Sequence, residues 1–300
     1  MIAEQESMTA KLCSFARAYH STMGKNTIFD DYLAYDIIGK EEYDRIGRLL
    51  RSDYAAEPYE PRYGFESVWV FNEMDRFFSP ITLSRIAFAE RALRRFAERH
   101  SESQYVVMGA GMDTFAFRNT DETIQTYELD HPDTQAYKLK RIQKLRWKIP
   151  ENVHYAPVDF EKEEFDRPLL RAGFCPAGAS FFSLLGVAYY LTPESFRRMV
   201  SGISALASSG SQFVFDFPDE TTFAESRPVR VRELTEITSK LGEPMLHGFS
   251  VEEMHEILNA EGFQIRRHEG PGDIQRHFFD ERTDNQRALE NIHFLLAEKK

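Results

Sequence analysis

The chain has 300 residues, 42% of them hydrophobic and 13% aromatic, which excludes a disordered chain and allows a sizeable packed core. Its 37 basic and 48 acidic residues give a net charge of −11, which argues against nucleic-acid binding because affinity for phosphates comes from lysine and arginine. The two cysteines, Cys13 and Cys175, fall outside any metal-binding spacing, so neither a zinc site nor a disulfide framework is indicated.

The N-terminus and the hydropathy pattern predict a cytoplasmic protein. Residues 1–9 are polar and acidic and lack the apolar segment of a secretory signal. No run approaches the roughly 18 apolar residues of a membrane span. We therefore expect no membrane association, whereas the oligomeric state is not indicated by the sequence.

The character of the sequence changes near residue 100. Residues 1–100 are predicted to form a helical cap, whose last helix starts at Ser79-Pro80, an N-cap followed by a proline in the first turn. In residues 101–300, compact apolar runs typical of buried parallel strands alternate with amphipathic helices. The predicted strands are Tyr105–Gly109, Ile124–Asp130, Val153–Asp159, Ser180–Val187, Ser211–Phe217, Gly262–Glu269 and Asn291–Glu298.

Two of the intervening helices have clear start signals. Thr192-Pro193-Glu194 begins one helix, and a capping-box pattern at Ser250–Glu253 begins another that stops at Gly262. Strand–helix alternation predicts an α/β fold with a doubly wound, Rossmann-like sheet. The last two predicted strands have no obvious helix between them, so we expect them to pair as a hairpin that leaves an antiparallel strand at the end of the sheet.

A long charged segment, at about residues 218–249, follows the fifth predicted strand. Ligands of open α/β sheets bind at the carboxyl ends of the strands. We therefore predict that this insertion, together with the N-terminal cap, forms a lid and substrate wall. A solvated connection is the alternative.

A glycine loop follows the first predicted strand. Glycines at Gly109 and Gly111 allow a sharp turn and a close approach of a ligand to the backbone, although such a turn can also be purely structural. Thr114 stands where the dinucleotide fingerprint has its third glycine, which disfavours NAD or FAD.

Acidic residues end the next two predicted strands. Asp130 lies 19 residues after Gly111, about the separation at which a carboxylate meets a ribose diol. Asp159 and Phe160 could bind the exocyclic amine of adenine and pack against its ring, or Asp159 could instead cap a short helix. Together these positions favour an adenosine-containing ligand.

These motifs resemble those of the leucine carboxyl methyltransferase family, which includes bacterial small-molecule O-methyltransferases of the polyketide-tailoring type. The resemblance covers Arg85 to Phe217 and is carried by Gly109–Thr114 with Arg118, Glu128-Leu129-Asp130-His131-Pro132, Tyr190–Glu194 and Val214-Phe215-Asp216. It implies a class I methyltransferase fold, with an antiparallel last strand, and S-adenosyl-L-methionine as cofactor.

The resemblance also implies roles for individual residues. Gly109 and Gly111 would hold the amino-acid part of the cofactor and Arg85 its carboxylate. Asp130, with Glu128 as a second contact, would bind the ribose, and Asp159 and Phe160 would frame the adenine. The segment Arg17-Ala18-Tyr19-His20 is similar to the stretch that closes over the site in the family.

One position departs from the family pattern. Many members carry a glutamate just after the fourth strand, where this chain has Leu185, which makes a protein leucine methyltransferase doubtful. A carboxylate acceptor needs no base, because it is ionised at neutral pH, whereas a phenol or alcohol benefits from one. The candidates for a catalytic base are His20 and Tyr190, with Tyr189 as a further possibility.

The favoured hypothesis is therefore an S-adenosylmethionine-dependent enzyme that O-methylates a small carboxylate- or hydroxyl-bearing metabolite. The alternatives are a protein leucine carboxyl methyltransferase, an NAD-dependent oxidoreductase and a catalytically silent cofactor-binding module. The expected partner is the small-molecule methyl acceptor, and no metal is expected.

Overall fold

A computed structural model describes residues 8–22, 26–52, 74–160 and 162–300. Parts of the predicted N-terminal cap (residues 1–100) lie outside the described residues, so the division of the chain near residue 100 stays a prediction. The described helices are α1 (Met8–Thr22), α2 (Ala34–Ile38), α3 (Lys40–Ser52), α4 (Phe78–Ala97), α5 (Phe115–Arg118), α6 (Pro132–Leu145), α7 (Asp166–Arg171), α8 (Pro193–Leu206), α9 (Val229–Lys240), α10 (Val251–Ala260) and α11 (Pro271–Phe278).

Seven strands form one mixed sheet of the predicted Rossmann-like type. The order is β3-β2-β1-β4-β5-β7-β6, and β1 to β5 pair in parallel while β7 is antiparallel to both of its neighbours. The strands are β1 (Ser103–Met108), β2 (Ile124–Asp130), β3 (Val153–Pro157), β4 (Ser180–Leu184), β5 (Gln212–Pro218), β6 (Phe263–Glu269) and β7 (Ile292–Lys299). The α/β fold class is confirmed.

The end of the sheet differs from the prediction in two respects. The last strand β7 lies between β5 and β6, so that β6 forms the edge. The connection from β6 to β7 contains a helix, α11, that the sequence analysis missed. Its signals are local, with Pro271 in the first turn and Asp273 accepting a hydrogen bond from Gly270 N at 3.2 Å. Ile274 is its one fully buried residue, so the helix has no apolar stripe to reveal it.

The sheet is buried on both faces, because consecutive strand residues pack into opposite cores. Phe181 of β4 belongs to the core that contains residues of α1 and α4, whereas Phe182 belongs to the core that contains residues of α8 and α10. The N-terminal helices thus cover one face of the sheet, as continuous apolar strands such as β5 require.

The predicted helix starts are confirmed for α8 and α10. The Oγ1 of Thr192 accepts a hydrogen bond from Ser195 N at 3.2 Å, and the Oγ of Ser250 accepts one from Glu253 N at 3.0 Å. Helix α4 begins slightly earlier than predicted, at Phe78. Within the described ranges, no helix has both the length and the apolar character needed to cross a membrane.

Candidate functional site

A cavity of about 340 Å³ lies at the carboxyl ends of β1, β2 and β4. This is the topological switch point of the sheet, where chain connections diverge between β1 and β4 and where open α/β folds bind their ligands. The lining comes from segments far apart in sequence. It includes Thr9–Lys11, Cys13, Ser14 and Arg17 of α1, Phe78, Ile81, Thr82, Arg85 and Ile86 of α4, Met108–Asp113 of the glycine loop, Leu185–Val187, Tyr189 and Tyr190 after β4, and Leu234, Thr238 and Met245 beyond β5.

The glycine loop contributes its backbone to the cavity. Gly109 and Gly111 both line it and both have positive φ, +73° and +50°, a conformation that glycine adopts without strain. A Cβ at Gly109 would lie 3.0 Å from Val187 Cγ2. Asp113 N donates to Ala110 O at 2.8 Å and closes the turn. The loop therefore has a fixed shape and room for a ligand beside it.

Asp130, at the end of β2, lies in the same cavity and is aligned by the loop. One carboxylate oxygen accepts a hydrogen bond from Gly111 N, and the other accepts one from His131 N at 2.7 Å. Burial raises the pKa of the Asp130 carboxyl, and the two amides oppose that shift. Each carboxylate oxygen keeps a lone pair, so the group can still accept both hydroxyls of a ribose.

Glu128 is placed differently from Asp130. It is buried outside the cavity lining and pairs with Lys138 of α6 at 2.5 Å. Burial raises the pKa of Glu128 to about 7. The structure thus gives Glu128 a protein partner and does not bring it to the cavity surface.

The residues predicted to frame adenine, Asp159 and Phe160, also lie outside the cavity lining. Asp159 pairs with Lys162 at 2.6 Å, and Phe160 packs with its ring centroid 6.2 Å from that of Phe165. Thr134 and Tyr137, on the first two turns of α6, line the cavity instead. Neither of these carries a motif, although their helix follows directly from Asp130.

Arg85 lies in the cavity and is held by a buried carboxylate. Its Nη1 donates to Asp216 Oδ2 at 3.2 Å, and Asp216 also accepts hydrogen bonds from Gly186 N at 2.7 Å and from Tyr189 OH at 2.6 Å. The Nε of Arg85 is buried and has no hydrogen-bond partner among the described residues. Arg85 lines the same cavity as the glycine loop, and a guanidinium suits the carboxylate of an amino-acid ligand.

The two predicted catalytic residues are separated by the structure. His20 lies outside the cavity lining, and its Nε2 accepts a hydrogen bond from Ile28 N at 2.9 Å. Burial and the nearby Arg282 lower the pKa of His20 to about 4, so the ring is neutral and its lone pair is already used. Tyr190 does line the cavity, and burial raises its pKa to about 12, so it carries its proton at neutral pH.

The wall opposite the glycine loop is mainly apolar. Leu185, at the position of the family glutamate, packs there with residues of the segment after β5, such as Leu234 and Met245. That segment is joined to α1, because Glu243 accepts hydrogen bonds from Met8 N and Thr9 N at 2.8 and 3.0 Å. The sequence had no motif for these contacts.

Several known proteins are similar to this chain in sequence or in fold. The sequence model of the leucine carboxyl methyltransferase family matches residues 10–204. A Bacillus subtilis (strain 168) protein with the name "Putative S-adenosyl-L-methionine-dependent methyltransferase YktD" is 35% identical over 100% of both chains. A similarly named protein of Mycolicibacterium paratuberculosis (strain ATCC BAA-968 / K-10) is 26% identical over 77% of this chain and 72% of its own.

Two solved structures share the fold at low sequence identity. A DUF574 family protein from Streptomyces avermitilis superposes with a TM-score of 0.58 at 16% identity, covering 85% of this chain and 97% of its own. A structure from Thermobifida fusca, described as a methyltransferase, has a TM-score of 0.57 at 16% identity and covers 80% and 90%. Sequence match and cavity agree, and the chain belongs to the leucine carboxyl methyltransferase family of S-adenosylmethionine-dependent methyltransferases.

Proposed function

We propose that the protein transfers a methyl group from S-adenosylmethionine to an oxygen of a small metabolite, most readily a carboxylate. The observation that supports this proposal is that the glycine loop and Asp130 line the same cavity as a set of mainly apolar side chains. Such a cavity can align a bound methyl donor with an acceptor.

The donor would lie against the strand ends. The Arg85 guanidinium would bind its carboxylate, the backbone at Gly109 and Gly111 would hold its amino-acid part, and the Asp130 carboxylate would accept hydrogen bonds from the ribose hydroxyls. When bound, S-adenosylmethionine supplies a methyl group already activated by the positive sulfur. The protein's remaining task is to align the accepting oxygen with that methyl group.

The titratable groups of the cavity favour an acceptor that needs no base. The described lining residues include no histidine. Burial raises the pKa of Tyr190 to about 12, and burial together with the Asp216 carboxylate raises that of Tyr189. Both phenols are therefore protonated at neutral pH, and because Tyr189 already donates to Asp216, Tyr190 is the phenol that can donate a hydrogen bond to the acceptor. A carboxylate acceptor is ionised under those conditions and can accept such a hydrogen bond.

Two features favour a small acceptor over the C-terminus of a protein. Leu185 offers an apolar surface where many family members have a carboxylate. The segment after β5 is joined to α1 through Glu243, and both contribute residues to the cavity lining, so that an acceptor would lie between two linked elements. Protein leucine methylation remains the competing activity to be tested.

The acceptor class is tested with a panel. The purified protein is incubated with S-adenosylmethionine and aromatic carboxylates, aliphatic carboxylates, phenols or a peptide ending in leucine, and S-adenosylhomocysteine is measured by mass spectrometry. We expect turnover with a small carboxylate and a base-labile methyl ester as product. Turnover with the peptide alone would identify a protein methyltransferase, and binding of S-adenosylhomocysteine without any turnover would favour a silent module.

The donor site is tested by calorimetric titration with S-adenosylhomocysteine. We expect Asp130→Ala to weaken binding by about tenfold or more, because a carboxylate bonded to two hydroxyls is removed. Asp133→Ala is the matched control, since Asp133 is exposed in the first turn of α6 and does not line the cavity. Equal affinity of the wild type and Asp130→Ala would contradict the placement of the ribose.

A further inference from the structure

A fully buried carboxylate, Asp31, lies between α1 and α2 and belongs to none of the motifs that predicted the site. It accepts two hydrogen bonds and forms one further ion pair, from two regions of the chain. Arg17 Nη1 of α1 donates to its Oδ2, Thr114 Oγ1 donates to its Oδ1 at 2.5 Å, and Arg118 Nε lies 3.4 Å from that same Oδ1. Asp31 thus joins the N-terminal helices to the end of the glycine loop.

One end of this network lines the cavity, and the other end, Thr114, directly follows the lining residue Asp113. Arg17 lines the cavity, and its Nη2 donates to the carbonyl oxygen of Met112 in the glycine loop at 2.9 Å. Thr114 is the N-cap residue of α5, yet its hydroxyl caps no backbone amide and is directed to Asp31 instead. The residue that replaces the third glycine of a dinucleotide loop therefore has a structural use here, as an anchor for the loop.

The charges of the network balance in pairs. Arg118 is shared between Asp31 and Glu90 of α4, whose Oε1 accepts a hydrogen bond from Arg118 Nη2 at 2.6 Å. Arg17 pairs with Asp31 and, within the described residues, with no other carboxylate. Neutralising Asp31 would therefore leave the buried Arg17 without a counter-charge, whereas neutralising Glu90 would leave Arg118 with Asp31.

We propose that Asp31 is a positioning residue for donor binding, which holds the glycine loop in its binding shape through Thr114 and through Arg17 and Met112. The inference rests on the proposed placement of the donor in this cavity. Asp31 itself does not line the cavity, so it acts through the loop and not by contact with the ligand. The same carboxylate, Asp31, then determines both how α1 and α2 pack against the glycine loop and which shape the donor site has.

The test compares Asp31→Asn with Glu90→Gln. Both variants neutralise a buried carboxylate that contacts Arg118, and only Asp31 also contacts Arg17 and Thr114. The dissociation constant of S-adenosylhomocysteine is measured by calorimetry, and the free energy of unfolding by urea denaturation. We expect Asp31→Asn to raise the dissociation constant about tenfold, which corresponds to about 1.4 kcal/mol, and Glu90→Gln to change it by less than about twofold.

A purely structural role would lower the unfolding free energy of both variants without this difference in affinity, and that result would overturn the proposal. If Asp31→Asn does not fold, Thr114→Val removes the hydroxyl that anchors the loop to Asp31, at nearly constant volume, together with the hydrogen bond that this hydroxyl accepts from Arg118 Nε at 2.9 Å. We expect it to raise the dissociation constant by about threefold, and an unchanged value would also overturn the proposal. A wild type that does not bind S-adenosylhomocysteine would instead refute the donor site itself.

Discussion

The two sides of the cavity are built in different ways. The proposed donor side is mainly backbone at the ends of β1 and β2, where Gly111 N donates to Asp130, together with the Arg85 side chain. The proposed acceptor side consists of side chains from α1, α4 and the segment after β5, which meet only in the folded chain. Shape is therefore fixed by main-chain geometry on one side and by packing on the other.

This difference has a consequence for substitution. A substitution on the donor side changes either the shape of the glycine loop or a residue proposed to bind the cofactor, so we expect it to alter cofactor affinity. A change on the acceptor side alters the volume or polarity of the wall and should leave cofactor affinity nearly constant. The following experiments test whether the two sides are separable in this way.

The largest effect is expected at Gly186, which belongs to the backbone after β4. Because Gly186 has no side chain, the Arg85 guanidinium can pack directly against this backbone. Gly186 has φ of +73°, and a Cβ there would lie 2.5 Å from Arg85 Nη2. We expect Gly186→Ala to lower the free energy of unfolding by about 2–4 kcal/mol through strain and overpacking. Displacement of Arg85 should also weaken S-adenosylhomocysteine binding about tenfold. Urea denaturation and calorimetry measure the two quantities.

Gly210 provides the matched control for Gly186→Ala. It has a similar φ of +84°, and no described atom lies within 4 Å of an added Cβ. Gly210→Ala should therefore lower the unfolding free energy by about 1 kcal/mol, from backbone strain alone, and leave binding unchanged. If the two variants bind S-adenosylhomocysteine equally well, Arg85 does not contribute to the donor site.

A smaller effect is expected at His20, which lies in α1, a helix that lines the acceptor side of the cavity. Its pKa is lowered from 6.5 to about 4, so the neutral ring favours the folded state. The stabilisation is present above about pH 6.5 and is lost as the pH falls through the folded-state value. We expect the stability difference between wild type and His20→Gln to shrink by about 1–2 kcal/mol between about pH 7.5 and about pH 5.

Urea denaturation at the two pH values measures this difference. His255→Gln, at an exposed position of α10, serves as the control and should show no such change. Binding of S-adenosylhomocysteine by His20→Gln at neutral pH should equal that of the wild type, because His20 does not line the cavity. Loss of turnover with unchanged stability and binding would instead restore His20 as a catalytic residue.

The same contrast explains what the sequence could predict. The glycine loop, Asp130 and the capping residues of α8 and α10 are local patterns, since each signal lies within a few residues of the structure it specifies. The doubly wound α/β class follows from the alternation of strands and helices, and burial of both sheet faces follows from the compact apolar strands, whereas the position of β7 between β5 and β6 was not predicted. These parts of the fold and of the donor side could therefore be predicted from the sequence.

The contacts between distant segments of the chain could not be predicted in this way. Asp31 and Asp216 act through partners about 80 and 130 residues away in sequence, Thr114 and Arg85. Such contacts depend on how the helices dock and leave no periodicity to detect. His20 illustrates the converse error, since a histidine in the predicted lid suggested a base whereas its nitrogen holds a backbone amide. The residue type alone does not show which side-chain atoms already have a hydrogen-bond partner within the protein.

Met245 offers the most direct test of separability, with the smallest expected effect on the protein as a whole. It is a buried wall residue beyond β5, and the adjacent Leu246 is 54% exposed and does not line the cavity. We expect Met245→Ala to raise the KM for the acceptor several-fold, about 1 kcal/mol, by removing apolar contacts. The S-adenosylhomocysteine dissociation constant should change by less than about twofold, and Leu246→Ala should change neither quantity. If Met245→Ala weakens both ligands equally, the wall and the loop form one cooperative unit, and the distinction between the two sides fails.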